Sequence, residues 1–398
     1  MSDLFKIKDR IEEATPKHSK TTKQAINSES YTSPVMITQQ FKFCPNPFRV
    51  DMYKGCDFGC KYCFANSGSQ KGKAGIARAK LSQVQKLFEK AFDTTEESSD
   101  VTIELLRNRV PLHCGGMSDP FQKREFEHKL TYQLIKLSNK YNYPIIFSTK
   151  QCELPDEYYS ILNPELHAFQ ISIMGWDDAY IKKYESNTPT AAQRLNFLKI
   201  LRAKGFWCSI RIQPLVDLEQ GIKLVTEAGG FPSYITIEHL KIPNDDIAVK
   251  KLFLNEYNSS RFYKSPLNMR NIEIQPDIKE KNIKILKEIA NKNGVLIGVG
   301  DNDLHHLSQS RCCCGVDLIG KNFTNYLKYN LTYMVTGDCE PSTLYCPKCK
   351  GTGCFYDSAF DFKEETDKYL EKHYDLILKS EHPEVFEKVF GYRKTRLF

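Results

Sequence analysis

Short apolar segments alternate with amphipathic segments along the chain from about Pro47 to Leu240. The short segments are rich in β-branched and aromatic residues, as buried strands are. They read PFRVDMY, RVPLHCG, YPIIFST, HAFQISIMG, FWCSIRIQP and YITIEHL. Helical patterns between them predict helices at Ala77–Phe92, Glu125–Tyr141, Pro189–Lys204 and Gln220–Ala228. Repeated strand–helix units of this length predict an α/β fold with a parallel sheet, either barrel-like or open, and with its chemistry at the C-terminal ends of the strands.

The pattern changes after about residue 240. A basic and aromatic segment, LNEYNSSRFYKSPLNMRNIEI, predicts an irregular insertion, and a helix at Pro276–Asn293 and the strand GVLIGVG follow it. We therefore expect four parts. They are a flexible basic arm (1–44), an α/β domain (45–240), the insertion with its helix and strand (241–300), and a cysteine-rich extension with a helical, charged tail (301–398).

The composition of the chain indicates the cellular compartment of the protein and a class of binding partner. The 398 residues contain no run of eighteen apolar residues and begin without a hydrophobic leader, so we expect a cytoplasmic protein. In a reducing compartment the 14 cysteines are expected to bind metal or to act in catalysis. The net charge of +7 is a mild indication of an anionic partner such as nucleic acid.

Three cysteines follow the first predicted strand in the stretch YKGCDFGCKYCFA. Cys56, Cys60 and Cys63 have the spacing C-x3-C-x2-C in a strand-to-helix loop, with a helix expected from about Ala65. Such a loop can bring three thiolates to three irons of one iron–sulfur cluster. A zinc site that takes its fourth ligand elsewhere, most simply Cys44, and three buried thiols without function are the alternatives.

The motif and its context resemble the radical S-adenosylmethionine (radical SAM) superfamily. Within it, NPFRVDMYKGCDFGCKYCFA is similar to the pattern of the spore photoproduct lyase-like group, also called DNA repair photolyase-like. Further similar segments follow in the same order over residues 45–240: MSDPFQKREFE, FSTK, QISI, YESNTPTAAQRLNFLKILRAKGF and RIQPLVD. The resemblance implies a partial (β/α)6-type TIM barrel with a C-terminal cysteine-rich metal-binding extension.

The resemblance also implies cofactors. Three cysteines, Cys56, Cys60 and Cys63, would bind a 4Fe–4S cluster whose fourth iron is left for SAM, and reductive cleavage would give a 5′-deoxyadenosyl radical. A reducing electron donor of the flavodoxin or ferredoxin type is then required.

Residue by residue, the resemblance implies a SAM site. Tyr62 would pack near the adenine, Gly115 and Gly116 would approach the amino group, and Lys150 and Ser172 would lie near the carboxylate and ribose.

Three further residues belong to this expected site. Glu185 and Arg194 would either help to bind SAM or pair with each other as a brace. Cys114, at the end of the second strand, is a candidate catalytic hydrogen-atom donor, because the lyase group has a cysteine in this segment. A buried structural thiol is the alternative for Cys114.

A second cysteine zone covers residues 312–354. SRCCCGVDLIG and GDCEPSTLYCPKCKGTGC predict a second metal site, with Cys314, Cys339, Cys346, Cys349 and Cys354 as ligands. Both zinc and an auxiliary 4Fe–4S cluster fit this spacing, and three adjacent cysteines cannot easily all face one metal, so some of Cys312–Cys314 are expected to point elsewhere.

The substrate is the least defined part of the prediction. Nucleic acid or a nucleotide is favoured by the resemblance, by the net charge, and by the mixture of cationic and aromatic residues at Tyr257–Arg270. A peptide-modifying radical SAM enzyme with an auxiliary cluster, and a non-catalytic metal-bound scaffold, are the alternatives.

Overall fold

The computed structural model describes residues 33–37, 46, 48–66, 77–96, 98, 100–264, 271–301, 303–304, 307–310, 312–320 and 323. The strands are β1 Val35–Ile37, β2 Phe48–Val50, β3 Tyr53–Lys54, β4 Ala77–Arg78, β5 Leu112–Cys114, β6 Ile145–Thr149, β7 His167–Ser172, β8 Trp207–Leu215, β9 Tyr234–His239, β10 Lys241–Pro243, β11 Phe262–Lys264, β12 Asn271–Ile274 and β13 Leu296–Val299. The helices are α1 Leu81–Phe92, α2 Val101–Arg107, α3 Glu125–His128, α4 Leu130–Tyr141, α5 Asp156–Tyr159, α6 Asp178–Tyr184, α7 Ala191–Ala203, α8 Leu218–Ala228, α9 Ile247–Leu254 and α10 Pro276–Lys292.

The main sheet has eight strands in the order β1-β2-β5-β6-β7-β8-β9-β13. All neighbours from β2 to β13 are parallel, and only β1 is antiparallel to its neighbour. Helices connect successive parallel strands, as crossovers between such strands require. The expected α/β fold with a partial (β/α)6 barrel is confirmed, and β13 extends it by a seventh parallel strand.

The predicted helices are present with small differences at their ends. The first begins at Leu81 instead of Ala77, because Ala77 and Arg78 pair as a strand with β3. The second is divided at Lys129, whose φ of 55° separates α3 from α4. The segment expected to be irregular after residue 240 contains α9 and a three-stranded sheet of order β10-β12-β11.

The two faces of the main sheet differ in polarity. Side chains alternate along each strand, and partners in register share a face. The face toward the helices carries apolar residues such as Val50, Leu112, Phe169, Ile210 and Ile237, all fully buried. The opposite face, toward the barrel interior, carries the polar residues Arg49, His113, Ser148, Gln170, Ser172, Ser209, Arg211, Thr236 and Glu238.

Among the helices that the structure describes, none combines the length and apolar character needed to cross a lipid bilayer.

Candidate cofactor and active site

The first cysteine motif forms a loop beyond the C-terminal end of β2. Cys56, Cys60 and Cys63 are partly buried along it, and a 3₁₀ turn, Phe64–Asn66, follows them, while residues 67–76, where the expected helix would continue, lie outside the described part. The backbone amide of Lys61 donates to the Tyr184 carbonyl at 2.9 Å, which fixes the loop against the end of α6.

Burial keeps two of these thiols protonated in the absence of metal. Burial, and then the charge of Asp119, raises the pKa of Cys56 well above its usual value. Burial raises the pKa of Cys60 to about 12, although the nearby Lys150 ammonium acts in the opposite direction. Because only thiolates bind metal, loading this loop must release protons.

The donor set of this loop is three soft thiols. Within the described parts of the chain, no three His, Cys, Asp or Glu side chains are grouped closely enough to hold one metal ion. Thiolates bind both iron–sulfur clusters and zinc. Three soft thiols on one short loop fit the cluster that the sequence predicts, and the zinc alternative stays open because Cys44 lies outside the described residues.

Four of the predicted site residues form one buried network beside the loop. Lys150 follows β6, and its Nζ lies 2.8 Å from Glu185 Oε1 and 3.1 Å from the Tyr62 hydroxyl, which also donates to that carboxylate oxygen. Arg194 Nη1 lies 3.0 Å from Glu185 Oε2 and donates to the Ser172 carbonyl at 2.6 Å. The network joins the cysteine loop to the ends of β6 and β7.

Glu185 is the anion at the centre of this network. Its burial alone would raise its pKa, but the positive charges of Lys150 and Arg194 outweigh that effect and hold the pKa at about 2. The brace between Glu185 and Arg194 that the sequence suggested is present, and Lys150 extends it. Contact of these residues with SAM stays a prediction.

Asp119 fixes the position of Lys150, and sequence reasoning did not include it in the site. Its Oδ2 accepts the backbone N–H of Lys150 at 2.6 Å, and its Oδ1 accepts the Thr149 hydroxyl at 2.7 Å and the Phe121 N–H at 2.9 Å. The aspartate thereby ties the end of β6 to the segment that follows β5.

Gly115 and Gly116 follow β5 and lie against neighbouring backbone and side chains. Gly115 has a φ of 110°, and a Cβ built on it would lie 2.4 Å from the Ser148 carbonyl oxygen. A Cβ on Gly116 would lie 3.6 Å from Arg49 Cδ and from Asp51 Oδ2. Asp51 in turn accepts the Met117 N–H at 2.8 Å, which fixes the backbone after the two glycines.

Replacing Gly115 by alanine is expected to lower the free energy of unfolding by at least about 2 kcal/mol, because both the φ and the contact with Ser148 exclude a Cβ. Gly294→Ala is the matched control, since its φ of 73° is also positive but no atom lies within 4 Å of its built Cβ. Urea denaturation should give a cost of about 1 kcal/mol for the control. Equal costs would show that the close approach at Gly115 is unimportant.

Cys114 lies on the face of β5 opposite to the barrel interior. Its neighbour His113 points into the interior and contacts Ser148 there, so Cys114 points toward the helices, where it is 1% exposed within the hydrophobic core. This position is the one expected of a buried structural thiol, and the role of Cys114 as a hydrogen-atom donor stays a prediction. Burial raises the pKa of the Cys114 thiol far above its usual value.

A group of charged residues lies in the barrel interior at β8 and β9, and sequence reasoning did not identify it. Arg211 Nη2 donates to Glu238 Oε2 at 2.7 Å, and Lys241 Nζ donates to Glu238 Oε1 at 2.8 Å. Gly300 leaves room for Glu238, since a Cβ there would lie 2.8 Å from Oε2. Glu238 thus accepts from two cations, and Glu273, the partner of Lys241 in register on β12, adds a further carboxylate to this group.

The second cysteine zone is described only in part. Cys312 Sγ lies 3.2 Å from Cys314 Sγ and 3.2 Å from Asp317 Oδ1, and the Cys313 carbonyl accepts the Thr236 hydroxyl at 2.7 Å. Cys339, Cys346, Cys349 and Cys354 lie outside the described residues, as do Cys44 and most of the N-terminal arm. The predicted second metal site is therefore an open prediction.

The cationic and aromatic stretch that suggested nucleic-acid binding is partly used for packing. Arg261 donates to the Val216 carbonyl at 3.1 Å and lies 5.1 Å from the centroid of the Tyr257 ring. Phe262 is 1% exposed. Residues 265–270 of this stretch lie outside the described part.

Comparison with known proteins gives one family match and distant relatives. Residues 50–214 match the family model of the radical SAM superfamily. Uncharacterized proteins of Mycobacterium bovis and Mycobacterium tuberculosis are 24% identical over 187 residues, which is 43% of this chain. The chain matches only 50% of the length of each of these relatives.

Two solved structures that match this chain are also distant in sequence. A spore photoproduct lyase complexed with dinucleoside spore photoproduct is 13% identical, with a TM-score of 0.47 and coverage of 73% of this chain and 90% of the other. Streptococcus suis SuiB is 16% identical, with a TM-score of 0.34 and coverage of 48% and 38%.

Proposed function

We propose that the protein is a radical SAM enzyme that abstracts a hydrogen atom from a nucleic acid or nucleotide, in repair or modification, and the match of residues 50–214 to the radical SAM family model supports this. The observation that carries the proposal is the placement of Cys56, Cys60 and Cys63 on one loop. That loop lies at the C-terminal end of the parallel strands and against the buried network of Tyr62, Lys150, Glu185 and Arg194.

In this proposal the loop cysteines hold a 4Fe–4S cluster, which together with SAM supplies a 5′-deoxyadenosyl radical after one-electron reduction. Lys150 offers an ammonium group, 15% exposed, at the rim of the barrel for the SAM carboxylate. The backbone at Gly115 and Gly116 can approach a ligand closely because no Cβ intervenes. Glu185 and Arg194 are positioning residues that hold Lys150 and the end of β7.

The choice of substrate class rests on charge and on sequence motifs. The net charge of the chain is +7. The ordered motifs over residues 45–240 resemble those of the spore photoproduct lyase-like group. A reductant of the flavodoxin or ferredoxin type would supply the electron.

We further propose that Cys314, Cys339, Cys346, Cys349 and Cys354 bind a second metal group, either zinc or an auxiliary 4Fe–4S cluster. Its support is the density of cysteines, seven between residues 312 and 354. Thiolate ligands suit both groups. Iron counting separates the two, as described in the Discussion.

Binding of single-stranded DNA is expected to weaken steeply as salt is added. Each neutralised phosphate of a single strand contributes about −0.7 to the slope of log K against log salt concentration, so a slope of about −2 or steeper is expected. Fluorescence anisotropy with a labelled eight-nucleotide strand measures it between 50 and 300 mM salt, about the range in which such slopes are determined. A flat and weak response would contradict the nucleic-acid proposal and favour a peptide substrate.

A further inference from the structure

A chain of three polar side chains crosses the interior face of the barrel from β5 to β7. His113 Nε2 lies 2.6 Å from Ser148 Oγ, and Ser148 Oγ donates to Gln170 Oε1 at 2.9 Å. The three residues lie on adjacent parallel strands and face the interior together. Gln170 lies two residues before Ser172, and therefore deeper in the barrel than the proposed SAM site.

In the structure this chain holds the Gln170 amide with its Oε1 toward Ser148. Because the Ser148 hydroxyl donates its proton to Gln170, the His113 nitrogen beside it must donate to Ser148. Burial, and then the positive charges of Arg211 and Arg49, lowers the pKa of His113 to about 3, so the ring is neutral and has one N–H for this role. The carbonyl end of the amide is thus occupied, and its NH₂ end remains for another partner.

Two buried polar atoms next to each other on this face lack such a partner. Gln170 and Ser209 are partners in register on β7 and β8, and both are 0% exposed. Among the described residues, neither Gln170 Nε2 nor Ser209 Oγ has a hydrogen-bond partner. Buried donors without partners are rare in folded proteins, because leaving them unpaired costs free energy. They are expected where a ligand supplies the missing acceptor.

We propose that Gln170 and Ser209 bind the 4-oxo oxygen of a substrate pyrimidine, or the 6-oxo oxygen of a purine, so that the barrel selects bases with an oxo group at this position over their amino counterparts. The inference rests on the proposed nucleic-acid function and adds a selection rule to it. An exocyclic amino group would place its N–H against the N–H of Gln170, whereas a ring carbonyl would accept from it. The Ser209 hydroxyl can donate to a carbonyl oxygen or accept from an amino group, so Gln170 carries the discrimination. A base must leave its stack to enter such an interior, which single strands allow at low cost.

The test compares two single strands of equal length and charge, oligodeoxyuridylate and oligodeoxycytidylate. Their bases differ in the 4-oxo or 4-amino group and in the neighbouring ring nitrogen. With the reconstituted full-length protein and SAM, fluorescence anisotropy is expected to show about tenfold tighter binding of oligodeoxyuridylate, the effect of one well-placed hydrogen bond to a base.

Three variants examine the cause of that preference. Gln170→Met removes the donor at similar volume and is expected to reduce the preference to about twofold or less. Ser148→Ala releases the amide, so binding of oligodeoxycytidylate is expected to approach that of oligodeoxyuridylate. Ser209→Ala removes a hydroxyl without a partner and is expected to weaken both complexes without lowering the melting temperature. Gln83→Met, on the exposed face of α1, is the matched control and should retain the full preference.

The outcomes separate this inference from the proposed function. Salt-dependent binding of both strands with equal affinity, a preference for oligodeoxycytidylate, or a preference that survives Gln170→Met would each overturn the inference and leave the nucleic-acid proposal standing. Absence of binding to either strand would overturn the nucleic-acid proposal, and this inference with it.

Discussion

Replacing Cys60 by alanine is expected to remove about four iron atoms per chain from the anaerobically reconstituted protein, the content of one 4Fe–4S cluster. The remaining two thiols of the loop, Cys56 and Cys63, cannot hold a cluster whose usual anchorage is three or four thiolates. The thiol of Cys60, whose pKa burial raises to about 12, has no strong tendency to ionise without the metal. Iron and sulfide analysis, with the visible absorption of the cluster, measures the effect.

Cys152→Ala is the control for this loss. Cys152 is also partly buried but lies after β6, outside the cysteine loop, so this variant should keep the iron content of the unaltered protein. That content also addresses the second cysteine zone, because about four irons per chain would support zinc there and about eight a second cluster. If Cys60→Ala retained all of the iron, the assignment of the loop would be wrong.

Replacing Glu185 by glutamine is expected to lower the free energy of unfolding at pH 7 by about 3–5 kcal/mol, the usual cost of breaking a buried ion pair from one side. The substitution leaves two cations without their anion in an interior position. The Arg194 side chain is 0% exposed and that of Lys150 is 15% exposed, so water cannot replace the carboxylate. Urea denaturation monitored by circular dichroism measures the loss.

The free-energy cost of Glu185→Gln should also depend on pH, and the lowered pKa of Glu185 sets the direction of that dependence. The pKa of Glu185 is about 2 in the folded protein, below the 4.5 of an unperturbed glutamate. Its contribution is therefore fully present above about pH 4.5 and is lost as the pH falls toward 2. The difference between the unaltered protein and Glu185→Gln should accordingly be smaller at pH 3 than at pH 7.

Glu157→Gln provides the comparison with an exposed ion pair. Glu157 and Lys129 lie 2.8 Å apart, with both side chains 42% exposed, and such pairs contribute at most about 1 kcal/mol. If Glu185→Gln cost no more than Glu157→Gln, or if its cost were the same at pH 3 and pH 7, the central role of Glu185 in the network would be contradicted.

The hydrophobic pattern predicted the α/β fold with a parallel sheet, because buried parallel strands and amphipathic helices have distinct periods, and the family resemblance predicted the partial barrel. The pattern could not show that Ala77 and Arg78 leave the helical pattern to pair with β3, since that pairing joins residues far apart in sequence. The small sheet of β10, β11 and β12 was missed because its strands are only three or four residues long and β10 pairs with β12 across a long connection.

The sequence predicted those site residues that belong to a motif of known chemistry. It missed the site residues that only the fold brings together. The cysteine loop and the residues of the Glu185 network follow from sequence motifs. The orientation of Cys114 was available from alternation, because Leu112 and Cys114 share a face and His113 takes the other. The polar interior also left a signal in QIS, SIRIQ and TIE, where polar and apolar residues alternate along β7, β8 and β9. The partners across those strands required the structure.

The central claim is that the loop of Cys56, Cys60 and Cys63 supports reductive cleavage of SAM, and its most direct test is the formation of 5′-deoxyadenosine. Anaerobically reconstituted protein is incubated with dithionite and SAM, and the product is quantified by chromatography. We expect 5′-deoxyadenosine from the unaltered protein and none above background from Cys56→Ala. An unaltered protein that holds its cluster and binds SAM but forms no more 5′-deoxyadenosine than Cys56→Ala would contradict the account.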